Sequence, residues 1–149
     1  MSLGQPAELA SWITAIAALT ALIVGVQQYL SQRKFTRRRD IQRVWNDYLQ
    51  LCFKNPEYSY GPCAKETLGG NFQNINSETD LRANKYTWFL SIMFNVCEQL
   101  VVEGGYWISL AEEQVENHRE GIAAIQGEEW TQGYHWRLRR IIASALREG

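Results

Sequence analysis

The sequence lacks the short motifs that mark the common enzyme classes. It contains no HExxH zinc pair, no GxSxG nucleophile turn, no glycine-rich phosphate loop and no dinucleotide-binding fingerprint. These absences argue against metalloprotease, α/β-hydrolase, nucleotide-hydrolysing and Rossmann-type dehydrogenase functions. We therefore expect no catalytic residue, no cofactor and no metal, although a site assembled from distant residues would leave no such signature.

Cysteine is scarce, and its spacing excludes two further classes of protein. The three cysteines, Cys52, Cys63 and Cys97, are odd in number and far apart, which argues against a disulfide scaffold and a zinc-binding module. Cys52 and Cys97 fall on apolar helical faces and are typical of buried, inert thiols. Cys63 lies in a predicted loop and is the one thiol open to reaction or modification.

The two histidines lack partners that would indicate chemistry. Four acids surround His118 in sequence (Glu112, Glu113, Glu116 and Glu120), but no Glu-x-x-His pair occurs, and a solvated acidic helix face explains them better than a metal site. His135 lies between Tyr134 and Trp136 with no evident nucleophile or acid beside it. It is typical of a surface residue or of a hydrogen-bonded packing residue.

Charge is absent from a long stretch near the start of the chain. Residues 9–32 contain no charged side chain. About 20 apolar residues are needed to cross roughly 30 Å of hydrocarbon, so residues 9–30 are predicted to form a transmembrane helix after a short extracytoplasmic tail, residues 1–8. Trp12 and Tyr29 lie about 26 Å apart along such a helix, which suits aromatic residues at the two headgroup levels.

Two other interpretations of this stretch are a cleaved signal peptide and a buried helix of a soluble core. A signal peptide has basic residues before its apolar run, whereas here they follow it. A soluble core helix normally carries a polar stripe, and none is present between Leu9 and Val26. Both interpretations are weaker than a membrane span.

A basic linker, residues 31–39, follows the predicted span. It contains five cations: Arg33, Lys34, Arg37, Arg38 and Arg39. Positive residues beside a span stay in the cytosol, so the amino terminus is predicted to lie outside a bacterial inner membrane and the carboxyl terminus inside. The same cations are expected to bind anionic lipid headgroups.

One face of the predicted span has small residues at four-residue intervals. Ala17, Ala21 and Gly25 share this face, and such spacing lets two membrane helices approach closely. Self-association through it and chance occurrence are comparably good explanations.

The remainder of the chain is acidic. Residues 40–149 carry ten cations and fifteen acids, whereas residues 1–39 carry five cations and one acid, which gives the overall net charge of −1. An acidic domain argues against nucleic acid as the partner.

Residues 40–149 are predicted to form an all-α cytosolic domain, a small four-helix bundle that follows the membrane helix. Apolar spacing and capping signals place helices at about 40–54, 78–103, 110–126 and 128–147. Residues 57–76 lack periodicity and are predicted to form a long loop, which is either packed on the surface or functional. The second helix is expected to be the central helix of the domain, and its long apolar face contains Leu81, Trp88, Phe89, Ile92, Met93, Val96, Leu100 and Val101.

This layout resembles a loose group of uncharacterised bacterial single-pass membrane proteins with a small helical cytosolic domain. Trp45, Tyr48, the Asn55-Pro56-Glu57 step, Glu98 and Trp107 carry the resemblance. The group supports the fold and implies no activity. The leading hypothesis is therefore a membrane-anchored protein-interaction or accessory module. A homo-oligomeric membrane effector or pore is the second hypothesis, and a membrane-tethered enzyme the third.

Overall fold

A computed structural model describes residues 6–73, 75–77, 79–125 and 128–147. The described residues are all-helical, with six α-helices, one 3-10 helix and no strand. The chain divides into two compact units, residues 1–40 and residues 41–149. Of the predicted tail, residues 1–5 lie outside the described residues.

The first unit contains most of one long helix, α1 (Pro6–Lys54), which has 49 residues. Its segment after Ala10 includes a window long and apolar enough to cross a membrane, and none of that window is buried. The predicted linker 31–39 is part of this helix, in accord with the absence of Gly and Pro between Val26 and Lys54. Asn55 ends α1, because Pro56 follows and the Asn55 amide side chain donates to the Leu51 carbonyl at 2.9 Å.

The predicted loop 57–76 contains a helix that its composition did not indicate. This helix, α2 (Gly61–Thr67), begins with Pro62 in its first turn, where the missing N–H of proline costs nothing. Tyr58, Leu68, Phe72 and Ile75 are buried around it. The segment therefore depends on packing against the rest of the second unit, since a helix of seven residues has little stability alone.

The centre of the second unit is α3 (Leu81–Glu103). It starts at Leu81 and not at residue 78, because the Asp80 carboxylate caps it by accepting from the Arg82 and Ala83 N–H groups at 2.8 and 3.4 Å. Gly104, with φ +84°, terminates it in a conformation that favours glycine. Ten of its residues are buried: Ala83, Tyr86, Phe89, Leu90, Met93, Phe94, Val96, Cys97, Leu100 and Val101.

The predicted helix 110–126 is two helices, and it starts earlier than expected. The first, α4 (Tyr106–Asn117), begins directly after Gly105, whose φ of +60° allows an immediate reversal after α3. The second, α5 (Arg119–Ala124), follows a break at His118. The Ser109-to-Glu112 capping signal therefore lies inside α4. The predicted end at Gly127 lies outside the described residues.

The predicted helix 128–147 is also divided. A 3-10 helix (Glu128–Thr131) comes first, and α6 (Trp136–Arg147) follows. At the start of α6 the His135 Nδ1 accepts from the Arg137 N–H at 3.3 Å, and the Glu98 carboxylate accepts from the His135 N–H at 2.6 Å. These two acceptors satisfy N–H groups that the end of a helix leaves free, which explains why α6 begins at Trp136.

In the second unit, α3 packs most extensively on α4, and α6 packs against both. The described part of residues 40–149 contains more helices than the four that the sequence predicted. The count differs because two short helices, α2 and α5, depend on tertiary packing and leave little sequence signal.

Candidate functional site

The residues predicted to lie at a membrane interface are all exposed on α1 (Trp12, Tyr29, Arg33, Lys34, Arg37, Arg38 and Arg39). Trp12 is 71 % exposed and Tyr29 62 %. The Arg39 guanidinium lies over the Phe35 ring at 5.9 Å, so one cation of the group is stacked on an aromatic ring. The large apolar residues between the two aromatics (Ile13, Ile16, Leu19, Leu22, Ile23, Val24 and Val26) are also exposed.

The hydroxyl groups in the apolar segment are bonded within α1. Thr14 donates to the Ala10 carbonyl at 2.9 Å, and Thr20 donates to the Ile16 carbonyl at 2.8 Å. Hydroxyls satisfied in this way need no water, which makes them compatible with a hydrocarbon environment.

The small-residue face of α1 is open. Ala17, Ala21 and Gly25 are exposed, and a Cβ placed on Gly25 would meet no atom within 4 Å. Among the described residues of the first unit, no contact explains the small side chains.

Tyr86 and His118 form a buried polar pair in the second unit. The Tyr86 hydroxyl lies 3.0 Å from His118 Nδ1, and both residues are fully buried. The rings of Tyr58 and Phe72 stack on Tyr86 at centroid distances of 6.1 and 5.5 Å, and Phe89 lies 5.7 Å from the imidazole. The pair thus lies inside an aromatic cluster that joins α2, α3 and the break between α4 and α5.

Burial sets the protonation of this pair. It lowers the pKa of His118 to about 4, an effect that the Ser59 backbone partly opposes. Burial, together with the charge of Glu120, raises the pKa of Tyr86. At neutral pH the ring is therefore neutral and the phenol protonated. We assign the Tyr86 O–H as donor to Nδ1, which places the ring hydrogen on Nε2. Among the described residues Nε2 has no hydrogen bond of good geometry, although the Ser59 backbone lies close enough to the ring to act on its pKa.

Two glycines permit the close packing around the pair. A Cβ on Gly121 would overlap the Tyr86 hydroxyl, and a Cβ on Gly61 would overlap the backbone carbonyl oxygen of Asn117. The sequence gave no sign that Tyr86 is the partner of His118. The available signal was the spacing of Tyr86 with Phe89 and Met93 on α3. Because it is buried, the pair holds helices together and does not meet a ligand from solvent.

The outer face of α3 carries three side chains from the long apolar face that the sequence predicted for the central helix. Leu81 is 76 % exposed, Trp88 72 % and Ile92 40 %, and we call these residues the α3 stripe. The expectation that they are buried was wrong. The apolar arc of α3 is wider than its contacts with the other helices, and periodicity cannot show which part of a wide arc is covered.

The other candidates from the sequence lie apart from one another. Cys63 is exposed on α2, Cys52 is half-buried and Cys97 is fully buried, where burial raises its pKa to about 12. Glu116 pairs with Arg119 at 3.2 Å, and Glu120 pairs with Lys65. Among the described residues, no group of three His, Cys, Asp or Glu side chains is arranged to hold a metal ion.

The chain matches no protein-family model, no curated protein and no solved structure. Function is therefore argued from the geometry above.

Proposed function

We propose that this chain is a single-pass membrane protein whose second unit, residues 41–149, docks another protein. The observation that carries the proposal is the exposed α3 stripe on a helix whose opposite face forms the core. The resemblance to bacterial single-pass proteins agrees with it.

The membrane anchor is supported by the exposure of the apolar window of α1. Large apolar side chains on all sides of a helix are stable only when lipid or protein covers them. The internally bonded Thr14 and Thr20 hydroxyls fit lipid as that cover. We place the amino terminus outside the bacterial inner membrane and the basic residues 33–39 against anionic headgroups, because cations remain on the cytosolic side.

The docking surface is supported by the size of the exposed side chains. An indole buries about 150–250 Å² when covered, so contact with a partner at Trp88 would contribute roughly 3 kcal/mol before ordering costs. Aromatic anchors of this kind dominate protein interfaces. Lys85 and Asn95 are exposed on the same side of α3 and supply a polar border. The partner is therefore expected to present an apolar pocket with a polar rim.

The test is site-specific photo-crosslinking in the native membrane. A benzophenone amino acid at position 88 is expected to give one discrete adduct with another polypeptide. The matched control carries the same probe at Glu113, an exposed position on α4, and is expected to give none. Equal, diffuse labelling from both positions, or adducts with lipid alone at position 88, would contradict the proposed docking surface.

A second candidate function, a homo-oligomeric membrane effector or pore, is favoured by the open face of Ala17, Ala21 and Gly25. Small residues at this spacing permit close helix contact in lipid. The same crosslinking experiment separates the two candidates, because an adduct of two 17.2 kDa chains indicates self-association and a heterogeneous mass indicates an accessory role. An enzymatic role has no comparable support, since its one candidate from the sequence, Cys63, is an exposed cysteine on the short helix α2.

A further inference from the structure

A cavity of about 700 Å³ opens on the second unit between α5, the 3-10 helix and α6. Its volume lies within the range of roughly 300–1,000 Å³ that is typical of sites for small molecules. It lies on elements other than α3, so it is separate from the proposed protein-docking surface.

Most of the lining of this cavity is apolar. The large contributors are Ile122, Ile125, Trp130, Ile142 and Leu146. Ala123 and Ala143 contribute only methyl groups, so the floor of the cavity, which they form, leaves space for a ligand. Thr131 and Gln132 are the uncharged polar residues, and no acidic residue is among the described lining residues. An alkyl chain fits the apolar part of this surface.

Two arginines, Arg139 and Arg147, line the same cavity. Both are exposed, and neither is paired with a carboxylate in the described part of the chain. Arg147 Nε donates to the Ala143 carbonyl at 3.0 Å, which holds its guanidinium over the end of α6 and leaves its terminal nitrogens available. Guanidinium groups remain charged at all physiological pH values and bind carboxylate or phosphate through two parallel hydrogen bonds.

The spacing along α6 arranges these groups in order. Arg139, Ala143, Leu146 and Arg147 share one helical face, and the two arginines are eight residues apart, which corresponds to about 12 Å along the axis. A cation therefore stands at each end of an apolar floor. An anion bound at one end would place its alkyl chain along Ala143 toward the other.

We propose that this cavity binds an amphiphile that has a single acyl chain and an anionic head, either a fatty carboxylate or a lysophospholipid. The apolar lining holds the chain, and Arg139 or Arg147 binds the head. A protein tethered to a bilayer would meet such molecules at high local concentration.

The test uses the full chain in nanodiscs of zwitterionic phosphatidylcholine, which avoids detergents that would compete for the cavity. A photoactivatable, alkyne-tagged fatty acid is added, and adducts are mapped by peptide mass spectrometry. We expect adducts on the segments that contain Ile125, Trp130 and Leu146. Arg139→Gln or Arg147→Gln is expected to lower the yield there by about tenfold, since a charge-assisted hydrogen-bonded pair is lost.

Arg140→Gln is the matched control. Arg140 is exposed on the same helix but does not line the cavity, so its loss is expected to leave the yield unchanged. Ala143→Trp fills the floor and is expected to abolish the adducts. Circular dichroism of each variant shows whether it is folded, and the two arginine variants keep the test valid if Ala143→Trp does not fold.

Competition with unlabelled lipids shows which class of amphiphile supplies the anionic head. Displacement by oleate alone indicates a fatty carboxylate, and displacement by lysophosphatidylglycerol alone indicates a phosphate-bearing lipid. Equal displacement by uncharged monoolein would overturn the role of the arginines. Adducts confined to α1, or unchanged in both arginine variants, would overturn the site.

Discussion

At the scale of single residues, the second unit contains a buried histidine whose two ring nitrogens are not equally well bonded. His118 is fully buried, and its one well-formed side-chain hydrogen bond among the described residues joins Nδ1 to the Tyr86 hydroxyl. An unsatisfied buried polar atom costs roughly 1–3 kcal/mol, and a buried charge costs more. The folded state therefore favours the neutral imidazole, and protonation of the ring lowers the free energy of unfolding.

The resulting pH dependence has a definite sign. An unfolded histidine titrates near 6.5, and His118 in the folded chain titrates near 4. Between these values the unfolded state binds more protons, so the free energy of unfolding falls as the pH is lowered from about 6.5 to about 4. The full loss is roughly 3 kcal/mol, because a tenfold change in proton affinity corresponds to about 1.4 kcal/mol.

Urea unfolding followed by tryptophan fluorescence measures this effect. The wild type is expected to lose more stability between pH 6.5 and pH 4 than His118→Gln, whose side chain does not titrate. Between pH 7.5 and 8.5 the difference between the two proteins is expected to stay constant. Parallel curves for both proteins over the acidic range would show that His118 does not control acid stability.

Gly61 and Gly133 offer a second comparison at the scale of residues, because their surroundings are opposite. A Cβ on Gly61 would overlap the Asn117 backbone, whereas a Cβ on Gly133 would meet nothing within 4 Å. Gly61→Ala is therefore expected to lower the free energy of unfolding by about 1–3 kcal/mol, as overpacking does. Gly133→Ala is expected to be neutral or to stabilise by a few tenths of a kcal/mol. Equal effects of the two changes in urea unfolding would contradict the close contact at Gly61.

At the scale of elements, the start of α6 is positioned by contacts with residues that are remote in sequence. The Glu98 carboxylate of α3 accepts from the N–H of His135, and Arg137 donates to the Val101 carbonyl at 3.1 Å. The start of α6 is thus attached to α3 at two points. Glu98 and His135 appeared in the sequence as unrelated residues, and their role in one helix start depends on the fold.

α3 shows how far periodicity can predict an element. Its apolar pattern identified a central helix correctly, and Gly104 lies at its end. The same pattern assigned Trp88 and Ile92 to the core, where the structure does not place them. Apolar spacing reports which residues can be buried together, but the positions of α4 and α6 decide which of them are.

At the scale of the whole molecule, the anchor of the proposed function rests on the exposed apolar window of α1. Two arginines at its centre, Leu19→Arg with Leu22→Arg, would cost roughly 5–7 kcal/mol of insertion free energy. We expect this variant to leave the membrane fraction in flotation after alkaline carbonate treatment. The matched control, Gln28→Arg with Gln32→Arg, adds the same charge near the basic residues and is expected to remain. Recovery of the wild type among soluble proteins would contradict the span. The intact mass of the purified chain would show whether the apolar segment had been cleaved off as a signal peptide.

The exposed thiol of Cys63 tests the orientation in the same membranes. A membrane-impermeant maleimide is expected to label Cys63 only after the cells are broken, since the second unit is proposed to lie in the cytosol. Labelling in intact cells would reverse the orientation. Cys97 is buried and Cys52 half-buried, so Cys63 is the most accessible of the three.

The sequence by itself determined the helical class, the apolar segment of α1 and the position of its basic residues. These depend on local composition and on the 3.6-residue period, which are visible in one stretch of chain. Only the tertiary structure decided that residues 61–67 form a helix, that Tyr86 meets His118, that the α3 stripe is exposed and that two arginines line an apolar cavity. Each of these depends on contacts between residues far apart in sequence, and packing at that distance leaves no periodic signal.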